Sequence, residues 1–219
     1  MSVEIPARGL LFDNDGVLVD SDEAVTTSWS RWALQQGLDP VAVMAVVHGR
    51  RAADTVADLV AEDRRAAAAA RIDLYEREDA GTVPAGAGAA QLLASLPREV
   101  GAVVTSGTPA LATARLRAAG LPLPGAMVTG PDVRTGKPDP EGYLIGARLL
   151  GVPPEETVVV EDSPAGVAAG RAAGARVLGV GERALGTGAD LVVGDLTGLS
   201  WADGVLTVAA RSVLQAGTP

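Results

Sequence analysis

The hydrophobic positions of the chain change their period along the sequence. Residues 3–12 form a short apolar run that predicts a strand, whereas the stretch 21–80 carries apolar side chains at helical spacing. This stretch predicts helices over 21–36, 40–47, 54–60 and 63–80. Ser21 is the expected N-cap of the first helix. A Gly- and Pro-rich segment at 81–88 predicts a linker or hinge.

Beyond residue 88 the pattern alternates between short apolar runs and helical stretches. It predicts strands over 100–105, 126–129, 157–160, 176–180 and 191–193, and helices over 109–119, 141–150 and 164–173. Regular strand–helix–strand units imply a parallel sheet covered by helices. The fold class expected is therefore α/β, a Rossmann-like parallel sheet core with an all-helical insertion after its first strand. Residues 201–211 fit neither period clearly, and the last five residues predict a frayed end.

Composition limits the kinds of partner. A length of 219 residues suits one α/β domain, or a core with a small extra domain. The net charge of −9 argues against binding nucleic acid or an anionic membrane surface. There is no cysteine, which excludes disulfides and thiolate metal sites. No secretory signal and no apolar run near the roughly 18 residues of a membrane span is evident, so we expect a cytoplasmic monomer that acts on a small molecule.

Polar residues follow three of the predicted strands where each strand ends. They are Asp13 and Asp15 after the first strand, Thr105 and Ser106 after the second, and Glu161, Asp162 and Ser163 after the strand at 157–160. Ligands of open α/β sheets bind beyond the carboxyl ends of the strands, so these side chains are expected at one crevice. Each group alone also fits a turn or a helix cap. Their order and spacing together indicate a catalytic site.

Three predicted helices begin with a capping residue followed by proline. The pairs are Thr108-Pro109, Asp139-Pro140 and Ser163-Pro164. Helix N-termini expose free N–H groups that suit anions. The only lysine of the chain, Lys137, stands just before the second of these helices. Carboxylates without histidine or cysteine suit a hard cation such as Mg²⁺, and a metal, a lysine and N–H donors around an aspartate suit phosphoryl transfer.

Four segments resemble the motifs of a known family. They are FDNDGVLVDS, VVTSGTP, GKPDPEGY and VVVEDSPAGVAAG. On these the chain is identified as a member of the haloacid dehalogenase superfamily of phosphatases, of the kind with a helical cap inserted after the first motif. The resemblance implies a core domain formed by residues 1–18 and 83–219, and a cap formed by residues 19–82.

The resemblance also implies catalytic roles. Asp13 would be the nucleophile that forms an aspartyl-phosphate, and Asp15 would be the general acid and base. Thr105 would bind the transferring phosphate together with the backbone at Ser106 and Gly107. Lys137 would neutralise Asp13 and the phosphate.

The implied cofactor is Mg²⁺. Its ligands would be Asp13, the backbone carbonyl of Asp15 and Asp162, with Glu161 as a direct or water-mediated partner.

The predicted cap resembles a narrower group. Its segments WALQQGLDP and HGRRAADT are similar to those of bacterial sugar phosphatases, near the 2-deoxyglucose-6-phosphatase and glycerol-phosphatase group. The resemblance implies that His48, Gly49 and Arg50 face the crevice when the cap closes and select the substrate. The alternative is that this loop is exposed and solvated.

Other reaction types of the family are associated with different residues at these positions. A dehalogenase lacks the second aspartate, here Asp15, and a phosphonate hydrolase of the known type needs a cap lysine that this chain lacks. A β-phosphoglucomutase shares all four motifs but differs at three cap positions, here Val25, His48 and Ala52. A non-catalytic phosphometabolite-binding relative would have lost motif residues. The expectation is a Mg²⁺-dependent phosphomonoester hydrolase acting on a small sugar or polyol phosphate, with the mutase as the main alternative.

Overall fold

The computed structural model describes residues 2–216. Its helices are α1 Asp22–Gln36, α2 Pro40–Val47, α3 Ala52–Leu59, α4 Glu62–Asp79, α5 Ala89–Ser95, α6 Pro109–Ala118, α7 Glu141–Leu150 and α8 Pro164–Ala172. Its strands are β1 Ser2–Pro6, β2 Gly9–Phe12, β3 Gly101–Val104, β4 Ala126–Val128, β5 Thr157–Glu161, β6 Arg176–Val180, β7 Leu191–Val193, β8 Leu199–Ala202, β9 Val205–Ala209 and β10 Val213–Ala216. Within residues 2–216, no helix combines the length and the apolar character needed to cross a membrane.

A seven-stranded sheet forms the centre of the molecule, in the order β10-β7-β6-β5-β2-β3-β4. The six strands from β7 to β4 run parallel, and β10 is antiparallel to β7 at one edge. The expected α/β fold class with a parallel sheet is therefore confirmed. Strands β2, β3 and β5 are neighbours, so the three polar strand ends predicted to meet lie side by side.

Both faces of the sheet are covered, which explains the continuous apolar runs in its strands. Leu10 and Phe12 of β2 belong to the hydrophobic cluster on one face, and Leu11 belongs to the cluster on the other. The alternation repeats in β5, where Val158 and Val159 point to opposite clusters. The strands are thus held on two sides, and the loops at their carboxyl ends start from fixed positions.

Helices α1 to α4 form a unit with a hydrophobic cluster of its own. Trp29, Trp32, Ile72 and Tyr75 lie at its centre, and the Trp32 indole donates a hydrogen bond to the Ala68 carbonyl at 2.9 Å. The helical spacing found in the sequence therefore marks a separate small core. This unit is the cap expected after the first motif.

Two chain segments join the cap to the sheet, and they bond to each other. The Asp20 amide donates to the Pro84 carbonyl at 3.0 Å, and the Gly86 amide donates to the Leu18 carbonyl at 2.8 Å. The two connecting segments thus lie side by side and are hydrogen-bonded to each other, which is the geometry of a hinge. We propose that the domain boundaries lie here, with residues 19–82 as the cap and 1–18 and 83–219 as the core.

The prediction of one strand over residues 3–12 was wrong. The segment forms two strands in two sheets, since β1 pairs with β9 in a separate antiparallel sheet of the order β1-β9-β8. The chain changes sheet between them: the Ala7 amide donates to Gly204, and the Arg8 amide donates to Glu156. An apolar run alone does not reveal this change of partner.

The C-terminal region contains more strand than the sequence suggested. The undecided residues 201–211 lie largely in the hairpin of β8 and β9, whose turn places Asp203 and Gly204 at positive φ. Gln215 and Ala216, expected to be frayed, belong to β10, and residues 217–219 of that expectation lie outside the described residues.

Smaller differences concern the helices. Helix α5 was not predicted, and α3 begins at Ala52 rather than at residue 54. Ser21 occupies the N-cap position of α1 as predicted, but its side chain makes no capping hydrogen bond. Thr108 and Ser163 do cap α6 and α8. Helix α7 covers the predicted residues 141–150; its N-cap position is Pro140, and the Asp139 side chain accepts from the Glu141 amide.

Candidate active site

A cavity of about 430 Å³ lies between the cap and the carboxyl ends of β2, β3 and β5. That volume is in the range of small-molecule binding sites. The core contributes the strand-end residues Asp13, Asp15, Thr105, Ser106, Gly107 and Asp162 to its wall. The cap contributes α1, the 48–51 loop and one face of α4. Lys137 and Glu161 are buried behind Asp13, deeper in the core.

Asp13 and Lys137 form the buried centre of this site. The Lys137 Nζ lies 3.0 Å from Asp13 Oδ1 and 2.5 Å from Glu161 Oε1, and it also donates to the Val104 carbonyl at 3.2 Å. Burial alone would lower the pKa of Lys137, but the two carboxylates outweigh burial and raise it. The lysine is therefore a permanent cation beside Asp13.

The buried acids of the site repel one another. Burial raises the pKa of Asp13 well above its usual value; Lys137 opposes this rise, and Glu161 and Asp162 add to it. Burial and then the charge of Glu161 raise the pKa of Asp162 to about 7, against the opposing effect of Arg183. Asp13, Glu161 and Asp162 face only two cations among the described residues, Lys137 and Arg183, so one formal negative charge is left uncompensated.

Glu161 is held by protein donors on both oxygens. Oε1 accepts from Lys137 and from the Tyr143 hydroxyl at 2.9 Å, and Oε2 accepts from the Ser163 amide at 2.9 Å. Burial would raise the pKa of Glu161, but Lys137 and these hydrogen bonds lower it. The side chain is thus a fixed anion that orients Lys137.

The acids could hold a metal ion. One carboxylate oxygen from each of Asp13, Glu161 and Asp162 lies within 4.8 Å of the other two. An all-oxygen set with uncompensated negative charge is the donor chemistry of a hard divalent cation. The residues present therefore fit such an ion, with Asp13 and Asp162 less committed to protein donors than Glu161.

The loop after β3 links the core to the cap. Thr105 Oγ1 accepts a hydrogen bond from the Gly107 amide at 3.0 Å, which closes a tight turn at the cavity wall. The Ser106 hydroxyl donates to the Gly49 carbonyl of the cap at 2.8 Å. Ser106 is therefore a contact that holds the cap closed as well as a wall residue.

The 48–51 loop of the cap faces the cavity, as the resemblance implied. A Cβ added to Gly49 would meet Ser163 Oγ at 2.1 Å, and Gly49 has a positive φ of 75°. Arg50 pairs with Asp58 at 2.6 Å, and Arg51 pairs with Asp54 and donates to the Val133 carbonyl of the core. Burial and the charge of Arg183 lower the pKa of His48. The alternative of a solvated loop does not agree with this packing.

Sequence reasoning missed four residues of the site: Tyr143, Arg183, Arg115 and Glu76. Arg183 pairs with Asp162 at 2.6 Å and with Asp22 at 2.7 Å. Arg115 pairs with Asp15 at 2.8 Å and lies 3.5 Å from Glu76 of the cap. Tyr143 lies within GKPDPEGY and could have been suspected from that motif. The other three stand in ordinary helical or turn sequence and carry no local signal.

Comparison with known proteins agrees with this geometry. A model of the family described as haloacid dehalogenase-like hydrolase matches residues 7–174. The chain belongs to that family. It is 45% identical over 178 residues to hexitol phosphatase A of Escherichia coli K12, covering 79% of this chain and 82% of the relative.

A second relative and a solved structure extend the comparison. Glycerol-1-phosphate phosphohydrolase 2 of Saccharomyces cerevisiae is 34% identical over 190 residues, covering 81% of this chain and 76% of the relative. A hydrolase from Pseudomonas syringae superposes with a TM-score of 0.79 at 25% identity, covering 86% of this chain and 94% of that one. The family resemblance and the expectation of an enzyme of the phosphatase type are confirmed.

Proposed function

We propose that this haloacid dehalogenase-like hydrolase is a Mg²⁺-dependent phosphomonoester hydrolase that acts on small sugar or polyol phosphates through an aspartyl-phosphate. The observation that carries the proposal is Asp13: a buried carboxylate at the end of β2, 3.0 Å from a lysine and beside Asp162 at the base of a small cavity. A nucleophile in such a place is shielded from bulk water and needs only a phosphate ester in line.

The chain's own residues account for two chemical steps. An Asp13 oxygen attacks phosphorus, the bond from phosphorus to the ester oxygen breaks, and Asp15 gives its proton to the departing alkoxide. Asp15 then takes a proton from water, the water oxygen attacks phosphorus, and the bond to Asp13 breaks. Lys137 stays charged throughout and balances negative charge on the phosphoryl group.

We propose Mg²⁺ as the metal of the site. Asp13 and Asp162 would hold it through their side chains and Asp15 through its backbone carbonyl, whereas Glu161 would act through Lys137. When bound, Mg²⁺ would neutralise phosphoryl oxygens and the excess charge of the acids. Asp162 is already oriented by Arg183, which donates to its Oδ2.

The cavity wall supports a hydroxyl-rich substrate. On the cap side it carries Trp29, Asp73 and Glu76, two of them acids that can accept hydrogen bonds from hydroxyl groups. The volume of about 430 Å³ suits a small phosphate ester. The relatives named above are phosphatases of a hexitol and of glycerol 1-phosphate by name, which places sugar and polyol phosphates first among the substrates to test.

The mutase alternative is less well supported. A phosphosugar mutase must hold a second phosphate group on the cap side of the site. Here the cap arginines at the cavity are paired, Arg50 with Asp58 and Arg51 with Asp54, and α4 adds acids rather than cations. This wall repels a second phosphate and favours hydrolysis. A cytoplasmic location and a monomeric state stay predictions.

A phosphate-release panel tests the proposal. Hexose, pentose and polyol phosphates, β-glucose 1-phosphate, a nucleotide and phosphoglycolate would be assayed with Mg²⁺ and with chelator, beside Asp13→Asn. We expect metal-dependent release that is fastest on sugar or polyol phosphates and lost in the variant. Conversion of β-glucose 1-phosphate to its 6-isomer without release would show a mutase, and binding without any reaction would show a non-catalytic module.

A further inference from the structure

Arg115 is a buried cation next to the site that the steps above do not use. Its side chain is 2% exposed, although it stands on the outer-layer helix α6. Its Nη1 lies 2.8 Å from Asp15 Oδ1, and its Nη2 lies 3.5 Å from Glu76 Oε1 on cap helix α4. The Nε is buried and has no hydrogen-bond partner among the described residues. Arg115 thus joins a core residue and a cap residue that are far apart in sequence.

This arrangement is a costly way to make a purely structural contact. Burying a guanidinium removes most of its hydration, and an apolar side chain of similar size often stabilises a protein as well or better. The shorter of the two ionic contacts of Arg115 is with Asp15, whose side chain remains 25% exposed at the cavity. The main effect that we expect of this ion pair is therefore to restrict the orientation of the Asp15 carboxylate.

The contacts of Asp15 show what Arg115 fixes. One carboxylate oxygen, Oδ1, accepts from Arg115, and the other, Oδ2, lies 3.3 Å from the Asn14 Nδ2. Arg115 provides the shorter and charged contact, so it is the stronger of the two restraints on the carboxylate. A general acid and base must reach the ester oxygen and then the attacking water from one position.

Glu76 makes this orientation depend on the cap. With the cap closed, Arg115 has an acid on each side; movement of α4 would remove Glu76 and leave Arg115 held by Asp15 alone. The closed arrangement contains both the Ser106–Gly49 contact and the Arg115–Glu76 pair.

We propose that Arg115 is a positioning residue for Asp15. Glu76 of the cap holds Arg115 in place, so that Asp15 is oriented for proton transfer when the cap is closed. The inference rests on the proposed function, since it assumes that Asp15 moves the protons. Arg115 itself does not contact the reacting atoms.

p-Nitrophenyl phosphate separates the two proton transfers. Nitrophenolate leaves without a proton, so formation of the phosphoenzyme does not need Asp15, whereas its hydrolysis still needs Asp15 to accept a proton from water. Stopped-flow measurement of nitrophenolate release would compare wild type with Arg115→Gln, Arg115→Lys, Glu76→Gln and Asp15→Asn. Arg117→Gln, an exposed arginine two residues further along α6, is the matched control.

We expect Arg115→Gln to behave like Asp15→Asn. Both should show a burst of about one nitrophenolate per site followed by a steady state about a hundredfold slower than wild type, in line with the usual contribution of general base catalysis. Arg115→Lys should recover part of the rate, since it keeps the charge, and Glu76→Gln should lie between wild type and Arg115→Gln. Arg117→Gln should match wild type.

Other outcomes would overturn the inference. Equal losses in the burst and the steady state, or a loss confined to KM, would mean that Arg115 only holds the cap. A wild-type steady state in Arg115→Gln beside an inactive Asp13→Asn would remove the inference alone, whereas an active Asp13→Asn would remove the proposed function with it. If Arg115→Gln does not fold, as judged by circular dichroism, Arg115→Lys and Glu76→Gln carry the same test.

Discussion

At the scale of single residues, the site is a set of buried charges that only partly compensate one another. Lys137 and Arg183 face Asp13, Glu161 and Asp162 at the core, and Arg115 faces Asp15 and Glu76 where core and cap meet. Burial makes each of these groups sensitive to the loss of one partner, because an unpaired buried charge is strongly destabilising. Substitutions at Tyr143 and at Glu76 measure how strongly the buried acids depend on their partners.

Tyr143→Phe removes one donor from Glu161. The hydroxyl lies 2.9 Å from Glu161 Oε1 in a fully buried setting, so the free energy of unfolding should fall by about 1–3 kcal/mol. Turnover should fall severalfold, because Glu161 holds Lys137 against Asp13. Tyr75→Phe is the control, since the Tyr75 hydroxyl meets the neutral Gln35 at 3.1 Å in a partly exposed place. Equal effects of the two changes would contradict this role of Tyr143.

Glu76 gives stability a pH dependence. Burial raises its pKa from 4.5 to about 7 against the opposing charge of Arg115. Between those values the folded state keeps a proton that the unfolded state has lost, so the free energy of unfolding falls as pH rises through this window. The free energy of unfolding should fall by at most about 3 kcal/mol across this pH window. Urea unfolding of wild type and Glu76→Gln from pH 4.5 to 8 should show a difference that grows with pH; parallel curves would contradict it.

At the scale of elements, the cap loop is held against the core by close backbone packing. Gly49→Ala would bring a Cβ to 2.1 Å from Ser163 Oγ and should push the cap open, lowering kcat/KM by about tenfold or more. Gly37→Ala is the matched control, since Gly37 is also a cap glycine at positive φ but a Cβ added there would meet nothing within 4 Å. Steady-state kinetics of both would decide, and similar kcat/KM values for the two variants would contradict the packing argument.

Elements whose signal is local were predictable. The apolar run at 157–160 predicts a strand, and its residues Val158–Val160 are buried in β5. The proline after Thr108 and after Ser163 predicts the two helix caps that the structure contains. The division of residues 3–12 between two sheets was not predictable, because it depends on pairing with β9 near the other end of the chain.

The same limit applies to the site. Asp13, Lys137 and Asp162 stand in recognisable motifs and were brought together as expected. Arg115 reaches Asp15 across a separation of 100 residues. Its own helix carries two arginines near its end, Arg115 and Arg117, and nothing in the local sequence distinguishes the buried one from the exposed one.

At the scale of the whole molecule, metal binding and stability should be linked. A cation held by Asp13 and Asp162 would bind the folded state alone, so we expect Mg²⁺ at one hundred times its Kd to add about 2.7 kcal/mol to the free energy of unfolding. For a chain of this size that raises Tm by about 5–10 °C. Asp162→Asn should lose the shift, while Asp63→Asn, an exposed acid on α4, should keep it. An unchanged shift in Asp162→Asn would place the metal elsewhere.

The central claim is that Asp13 carries the phosphoryl group, and the most direct measurement is to locate that group on the protein. Asp15→Asn, in which we expect slow hydrolysis of the phosphoenzyme, would be mixed with p-nitrophenyl phosphate and Mg²⁺ and quenched in acid. Borohydride would then reduce the acyl phosphate to homoserine, and peptide mass spectrometry would locate it. The account predicts homoserine at position 13 and nowhere else, absent without Mg²⁺. Modification at another residue, or full turnover by Asp13→Asn, would contradict the account.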